Sequence, residues 1–308
     1  MPKTAATKKA APKPKKTTRP VIQTKSYAKL PSVWRLSADS LKILWRRRWL
    51  FGGIVLFYGI VNLVVAQGFS GGLNVSTTKA QLTSLFQGHF SQLDSGLTIY
   101  ALMLASLGGS SSNSGGGFGY SLLFAVIASL ALIWSIRNVS NSVPVKIRDA
   151  YYRGIYPLIP FLAILLLIGI ELLPLVAGIS LYVLAINNTI AVTALEKLLF
   201  IVIMVGLSAL SLFLISSSVF ALFIVTLPEM TPVKALRSAK DLVRKRRWPI
   251  LLRLLYLPVA LLVVSAIIML PFIIFASVIA QWVFLALSLI LLAIAVSYLY
   301  NLYREMLA

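Results

Sequence analysis

TPVKALRSAKDLVRKRRWPILLRLLYLPVALLVV, residues 231–264, sets seven cations in its first 17 residues and then turns abruptly apolar. Three readings compete: a nucleic-acid-binding helix, a voltage sensor, and a helix on a membrane surface. A voltage sensor carries its arginines inside the apolar span. Here they precede it, and only Arg253 enters, one turn deep, where a long side chain can snorkel back to the interface. A nucleic-acid reader interleaves exposed aromatics or shows a docking motif, and this stretch does neither. Thr231 suits an N-cap and Pro232 the first helical position. Val233, Leu236, Ala239 and Val243 then share a face, with Lys234, Arg237, Lys240 and Arg244 around the rest. Trp248 closes the run where an aromatic belt is expected. The stretch therefore reads as a membrane-surface helix that fixes topology and touches anionic lipid, at about 1 kcal/mol per well-placed cation.

The whole chain fits that solvent. Hydrophobic residues make up 59% of 308 and charged residues 12%, and the mean hydropathy is +0.90. A globular domain holds about 45–50% apolar residues, so the surplus points to lipid contact. Against 29 Lys and Arg stand 8 Asp and Glu, a net charge of +21, which calls for anionic partners. With no cysteine, disulfides, thiolate metal sites and Cys nucleophiles are excluded. The first 20 residues lack an apolar h-region, so no secretory signal peptide is expected there.

Residues 1–29 are Lys, Ala, Pro and Thr with nine cations and no acid, and are expected to form a disordered basic arm. Residues 30–308 form one membrane domain. In its first part, Val33, Leu36, Leu41 and Leu44 mark a short amphipathic helix that runs into the basic knot Arg46-Arg47-Arg48. Apolar runs long enough to span follow at roughly 49–67, 119–137, 156–173, 198–227, 249–270 and 282–303. Residues 68–118 read as a polar extracytoplasmic linker. Leu82, Leu85, Phe86, Phe90 and Leu93 give it one amphipathic helix, and it ends in the Ser/Gly tether GGSSSNSGGGFG. The expected fold is all-α and polytopic, with six transmembrane helices.

Alternate connections carry the charge. Of 29 cations, 27 lie before the first span, in the 137–156 connection, in the 234–253 region or at Arg304, and only Lys79 and Lys197 fall on the opposite side. By the positive-inside rule both termini face the cytoplasm and the protein sits in the cytoplasmic membrane. A weak internal repeat accompanies this pattern. PVKIRDA begins at Pro144 and PVKALRSA at Pro232, while RRRW ends at Trp49 and KRRW at Trp248. The spans are expected to break at Leu172–Pro174 and Met269–Pro271. The apolar segments beyond would be interfacial or re-entrant on the outer side, with 97–107 as a first copy.

Chemistry-bearing residues are sparse. Glu171 is the one acid within an apolar run and hence a candidate intramembrane polar site. It lies about 22 Å along a helix from Tyr156, which predicts a helix-end position at the outer interface. His89 is the sole histidine, near Asp94. One His and one Asp make neither a metal site nor a triad, so no metal, cofactor or catalytic residue is assigned. GGGFG follows no strand and is no phosphate loop. Asn187 and Asn188 read as loop residues.

Two stretches, SLLFAVIASLALIWSIRN (121–138) followed by IRDAYYRGIYPLIPF (147–161), and SSVFALFIVTLPEMTPVKALRSAKDLVRKRRWPIL (217–251), carry a resemblance. The chain resembles an uncharacterised multi-pass membrane family of Saccharibacteria and related candidate-phylum bacteria over most of residues 30–305. More distantly it is similar to the membrane domain attached to some glycerophosphoryl diester phosphodiesterases, where a Pro-Glu pair and an Arg-Arg-Trp run also lead into a span. That enzyme's barrel uses His, Glu and Asp around a metal. One histidine and no such domain mean that the resemblance implies no such activity here.

The expected function is that of a non-enzymatic integral membrane protein that organises or assists a process at the cytoplasmic membrane. Its partners would be the bilayer and anionic phospholipid head groups, contacted by Arg46, Arg47, Arg48, Lys234, Arg237, Arg244, Lys245, Arg246 and Arg247. Other proteins or a second copy of the chain are further partners, and nucleic acid is a less favoured one for the basic arm. The alternative is a small-molecule or lipid transporter or channel-like protein using helix breaks near Glu171 and Pro271.

Overall fold

The structure, a computed structural model, describes residues 32–67, 99–101, 103–104, 117–187, 193–244 and 246–307. The basic arm, the amphipathic stretch around His89 and Asp94, and Lys79, Asn188 and Lys245 lie outside the described residues. Among the described residues every regular element is helical.

Short helices alternate with long ones. Helix α1 (Val33–Arg46) is separated by Arg47 alone from α2 (Arg48–Val61), whose end widens into a π-helical turn over Asn62–Gln67. Then come α3 (Gly117–Ser140), the short α4 (Ile147–Gly154), and α5 (Leu158–Asn187). Helix α6 (Ala194–Ile224), the short α7 (Pro232–Val243), α8 (Arg247–Phe275) and α9 (Ser277–Leu307) complete the chain. Six of these helices are long and apolar enough to cross a membrane: Arg48–Val65, Gly119–Ser140, Leu158–Ile186, Ala194–Ile224, Arg247–Phe275 and Ile279–Leu307. Three times a short helix bearing cations leads straight into a long one, the pattern of the sequence repeat.

The breaks expected at the prolines do not occur there. Helix α5 runs unbroken for 30 residues through Pro174, and α8 passes both Pro258 and Pro271 before ending at Phe275. Long apolar helices tolerate proline where neighbouring helices and local adjustment re-satisfy the freed backbone groups. The segment beyond Pro174 thus continues α5, whereas the segment beyond Pro271 is divided at Ala276 between the last turn of α8 and the start of α9. Asn187, expected in a loop, is the last residue of α5.

Helix α9 packs against α1, α2, α3, α6 and α8, and α5 and α6 pair along their lengths. Between lipid-soluble helices there is little hydrophobic drive, so close approach and polar contacts do much of the joining. Gly178 of α5 lies where a Cβ would stand 3.3 Å from Met204 Cα. Gly154 of α4 lies where one would stand 3.0 Å from Ala131 Cα. Helix α1 is fastened by Ser40, whose Oγ donates to Leu36 O (2.7 Å) and accepts from Asn301 Nδ2 (2.9 Å), while Ser297 Oγ donates to Ser40 O (3.3 Å). The described part of the 68–118 segment also packs inward. Ile99, Tyr100 and Met103 are buried with Met269, Ile273 and Phe284, and the Tyr100 hydroxyl bonds Ser265 Oγ and donates to Leu262 O.

Candidate functional site

The opening stretch folds much as its residues direct. Thr231 caps α7 by accepting from the Lys234 backbone N–H, with Pro232 at the first helical position. The buried face, however, is Ala235, Ala239 and Val243, each 0% exposed, and Val233 points out at 68%. Ala239 and Val243 of the expected stripe are thus buried and Leu236 is half-buried against the core, while Val233 gives way to Ala235. Alanines let α7 lie close along the end of α6, so it packs on protein instead of resting its larger apolar side chains on lipid. The following corner reaches back far enough for the Arg247 guanidinium to sit over the Phe213 ring, 4.4 Å from its centroid.

The cations gather on one side of the bundle, where α3 and α6 end and where α2 and α8 begin. Contacts between those ends establish this: Arg137 of α3 with Thr226, Phe223 of α6 stacked on Tyr303 of α9, Tyr298 of α9 with Arg253 O of α8, and Asn301 of α9 with Ser40 of α1, which leads into α2. Arg46, Arg47, Arg48, Lys234, Arg237 and Arg244 are exposed there, while Arg246 and Arg247 are half-buried. Tryptophans 34, 45, 49 and 248 are exposed beside them, and Arg48 lies over the Trp45 ring. Helix α4 belongs to the same side. Its Tyr151 hydroxyl donates to Ile54 O (2.7 Å), and burial, reinforced by neighbouring Tyr58, pushes the phenol up from its usual range.

A cleft of about 740 Å³ opens on this side between the end of α3, the α4–α5 corner and the 225–231 loop. Sequence reasoning missed it, because its walls come from three connections far apart in the chain. Trp134 and Leu130 form its inner wall and Tyr152, Arg153 and Tyr156 line its α4–α5 side. Arg137 is held in place by donating to Thr226 O (2.9 Å), Thr226 Oγ1 and Phe223 O (3.4 Å). These acceptors are all neutral. Glu229 adds a carboxylate from a residue with left-handed backbone (φ 61°), a conformation a non-glycine residue holds only under constraint from its surroundings.

Glu171 lies 13 residues from the start of α5 and 16 from its end, near mid-helix and not at a helix end as expected. The unbroken passage through Pro174 is the reason. Its Oε1 accepts from Ser218 Oγ of α6 (2.6 Å) and its backbone O from Ser211 Oγ, while Oε2 is buried without a hydrogen-bond partner. The cleft does not reach it. Among the described residues no three His, Cys, Asp or Glu side chains gather to hold a metal.

Six long apolar helices, no strand among the described residues and a one-sided cationic surface make this an all-α, multi-pass membrane protein. No protein-family model, curated protein or solved structure matches the chain.

Proposed function

We propose that the protein is a non-catalytic component of the cytoplasmic membrane whose cationic side faces the cytoplasm, binds anionic phospholipid head groups, and so organises or assists a process at that surface. Membership of the candidate-phylum multi-pass family, suggested by residues 121–161 and 217–251, belongs to the same proposal. One observation carries it: the exposed cations of α1, α4 and α7 and the knot at Arg46–Arg48 lie on one side, beside exposed tryptophans, where the long helices meet their connections. Anionic lipid attracts such groups over roughly a Debye length, about 8 Å at physiological ionic strength.

The test is lipid enrichment. Protein taken into nanodiscs of mixed phosphatidylglycerol and phosphatidylcholine should retain phosphatidylglycerol above its bulk fraction, as read by mass spectrometry. Replacing Arg46, Arg47, Arg48, Lys234, Arg237 and Arg244 by Gln together should reduce that enrichment. Retained lipid that mirrors the bulk in both proteins would end the proposal. A transport role is the second reading, and the partnerless buried Oε2 of Glu171 is what favours it. Proton or solute flux in liposomes that disappears with Glu171→Gln would put that reading first.

A further inference from the structure

The cleft differs from the rest of the cationic side in being concave, partly apolar and built around a fixed guanidinium. Arg137 donates to three neutral oxygens, and no described carboxylate shares its charge. A guanidinium has five N–H donors, so donor capacity remains. Arg153 also lines the cleft, in which Glu229 is the one carboxylate among the lining residues. From Asn138 down to Leu130 the α3 wall changes from polar to apolar over about 12 Å. At the lip of the cleft Tyr156 is 92% exposed, and three residues on, at the start of the long apolar helix α5, Ile159 is 80% exposed. A soluble anion would use the cation and leave the apolar wall unoccupied, whereas a phospholipid uses both.

We propose that this cleft is a defined phospholipid head-group site, in which Arg137 and Arg153 hold the phosphate and the Leu130–Trp134 wall receives the start of an acyl chain. It rests on the lipid-binding reading above and adds to it a single stoichiometric site set apart from the surface cations. Glu229 opposes additional negative charge, so the site takes a phosphodiester in preference to a phosphomonoester.

The chain has no cysteine, so Tyr152→Cys can carry a bimane label at the mouth of the cleft. Nanodiscs of phosphatidylcholine with a small, varied fraction of acyl-brominated phosphatidylglycerol should quench it saturably. Arg137→Gln should raise the half-saturating fraction about tenfold, as expected for the loss of hydrogen bonds to a charged group, and Arg137→Lys should recover part of the loss. Because Arg137 also ties α3 to the 226 loop, two exposed positions give a second readout. Arg153→Gln should weaken quenching, and Glu229→Gln should strengthen it. Replacing Lys234, Arg237 and Arg244 by Gln should lower overall phosphatidylglycerol enrichment and leave half-saturation of the bimane signal unchanged. Linear, unsaturable quenching, or equal effects from the cleft and α7 substitutions, would overturn the defined site while leaving the general lipid-binding reading standing. Saturable quenching without overall enrichment would keep the site and remove that reading. Displacement by millimolar inorganic phosphate would show a soluble-anion site and overturn the lipid assignment.

Discussion

Replacing Gly154 by alanine puts one methyl group between α4 and α3 where the backbones leave no room. The new Cβ would stand 3.0 Å from Ala131 Cα, 3.2 Å from Ala131 N and 3.3 Å from the Leu130 carbonyl carbon. Comfortable carbon contacts are about 3.5–4.0 Å, so α4 must retreat by roughly half an ångström to one ångström. It is not free to do so, because the Tyr151 bond to Ile54 O and the Ile147 side chain against Gly53 hold it to α2. Overpacking of this kind costs about 1–3 kcal/mol, against a helix-propensity gain of up to about 1 kcal/mol. The net expectation is a loss of about 1–2 kcal/mol. Gly52 is the control: nothing lies within 4 Å of its added Cβ, so Gly52→Ala should be neutral or stabilising. Unfolding by graded sodium dodecyl sulfate, followed by circular dichroism, compares the two. Because the clash is with Ala131 Cα and not its methyl, adding Ala131→Gly should not rescue Gly154→Ala. Wild-type stability in Gly154→Ala, or rescue by Ala131→Gly, would refute the close approach.

Ser40→Ala removes the acceptor of buried Asn301 and should destabilise by about 1–2 kcal/mol, with faster amide exchange in α1 as the specific sign. A double-mutant cycle between Ser218→Ala and Glu171→Leu should give a coupling of about 0.6 kcal/mol and no more than about 1.7 kcal/mol, the average and the maximum for hydrogen bonds between membrane helices, whereas Glu171→Gln keeps the acceptor and should barely change unfolding. Tyr151 titrates above the ordinary phenol value of 10.0 because burial disfavours the phenolate. Its contribution to stability should be complete below pH about 10 and be lost as pH rises through the folded-state value, and pH-dependent unfolding of Tyr151→Phe should lack that component.

Local features were the legible ones. Thr231-Pro232 announced the start of α7, and apolar length announced the six long helices, because caps and hydropathy act within one segment. On α7 the expected Ala239 and Val243 are buried and Leu236 is half-buried; only Val233 was misjudged, because it looks the stronger apolar residue while packing on α6 takes the smaller Ala235 in its place. Pro174 was misjudged because its cost is set by what surrounds it, and that is not written beside it. Ser40 meeting Asn301, Ser218 meeting Glu171, and Arg137 meeting Thr226 join residues from distant helices, so no spacing in the sequence reports them. The cleft was hidden for the same reason, although Arg137 at the end of an apolar run and Pro228-Glu229 in a short loop were its only local traces.

The central claim, that residues 231–264 lead from the inner surface into the fifth of six spans, is tested most directly by cysteine accessibility in intact cells. Ser238 is exposed on the cationic side, and Ala194 is exposed at the opposite end of α6. Against the cysteine-free background, Ala194→Cys should react with a membrane-impermeant maleimide from outside, and Ser238→Cys should react only after lysis. Labelling of Ser238→Cys in intact cells, with Ala194→Cys protected, would contradict the account.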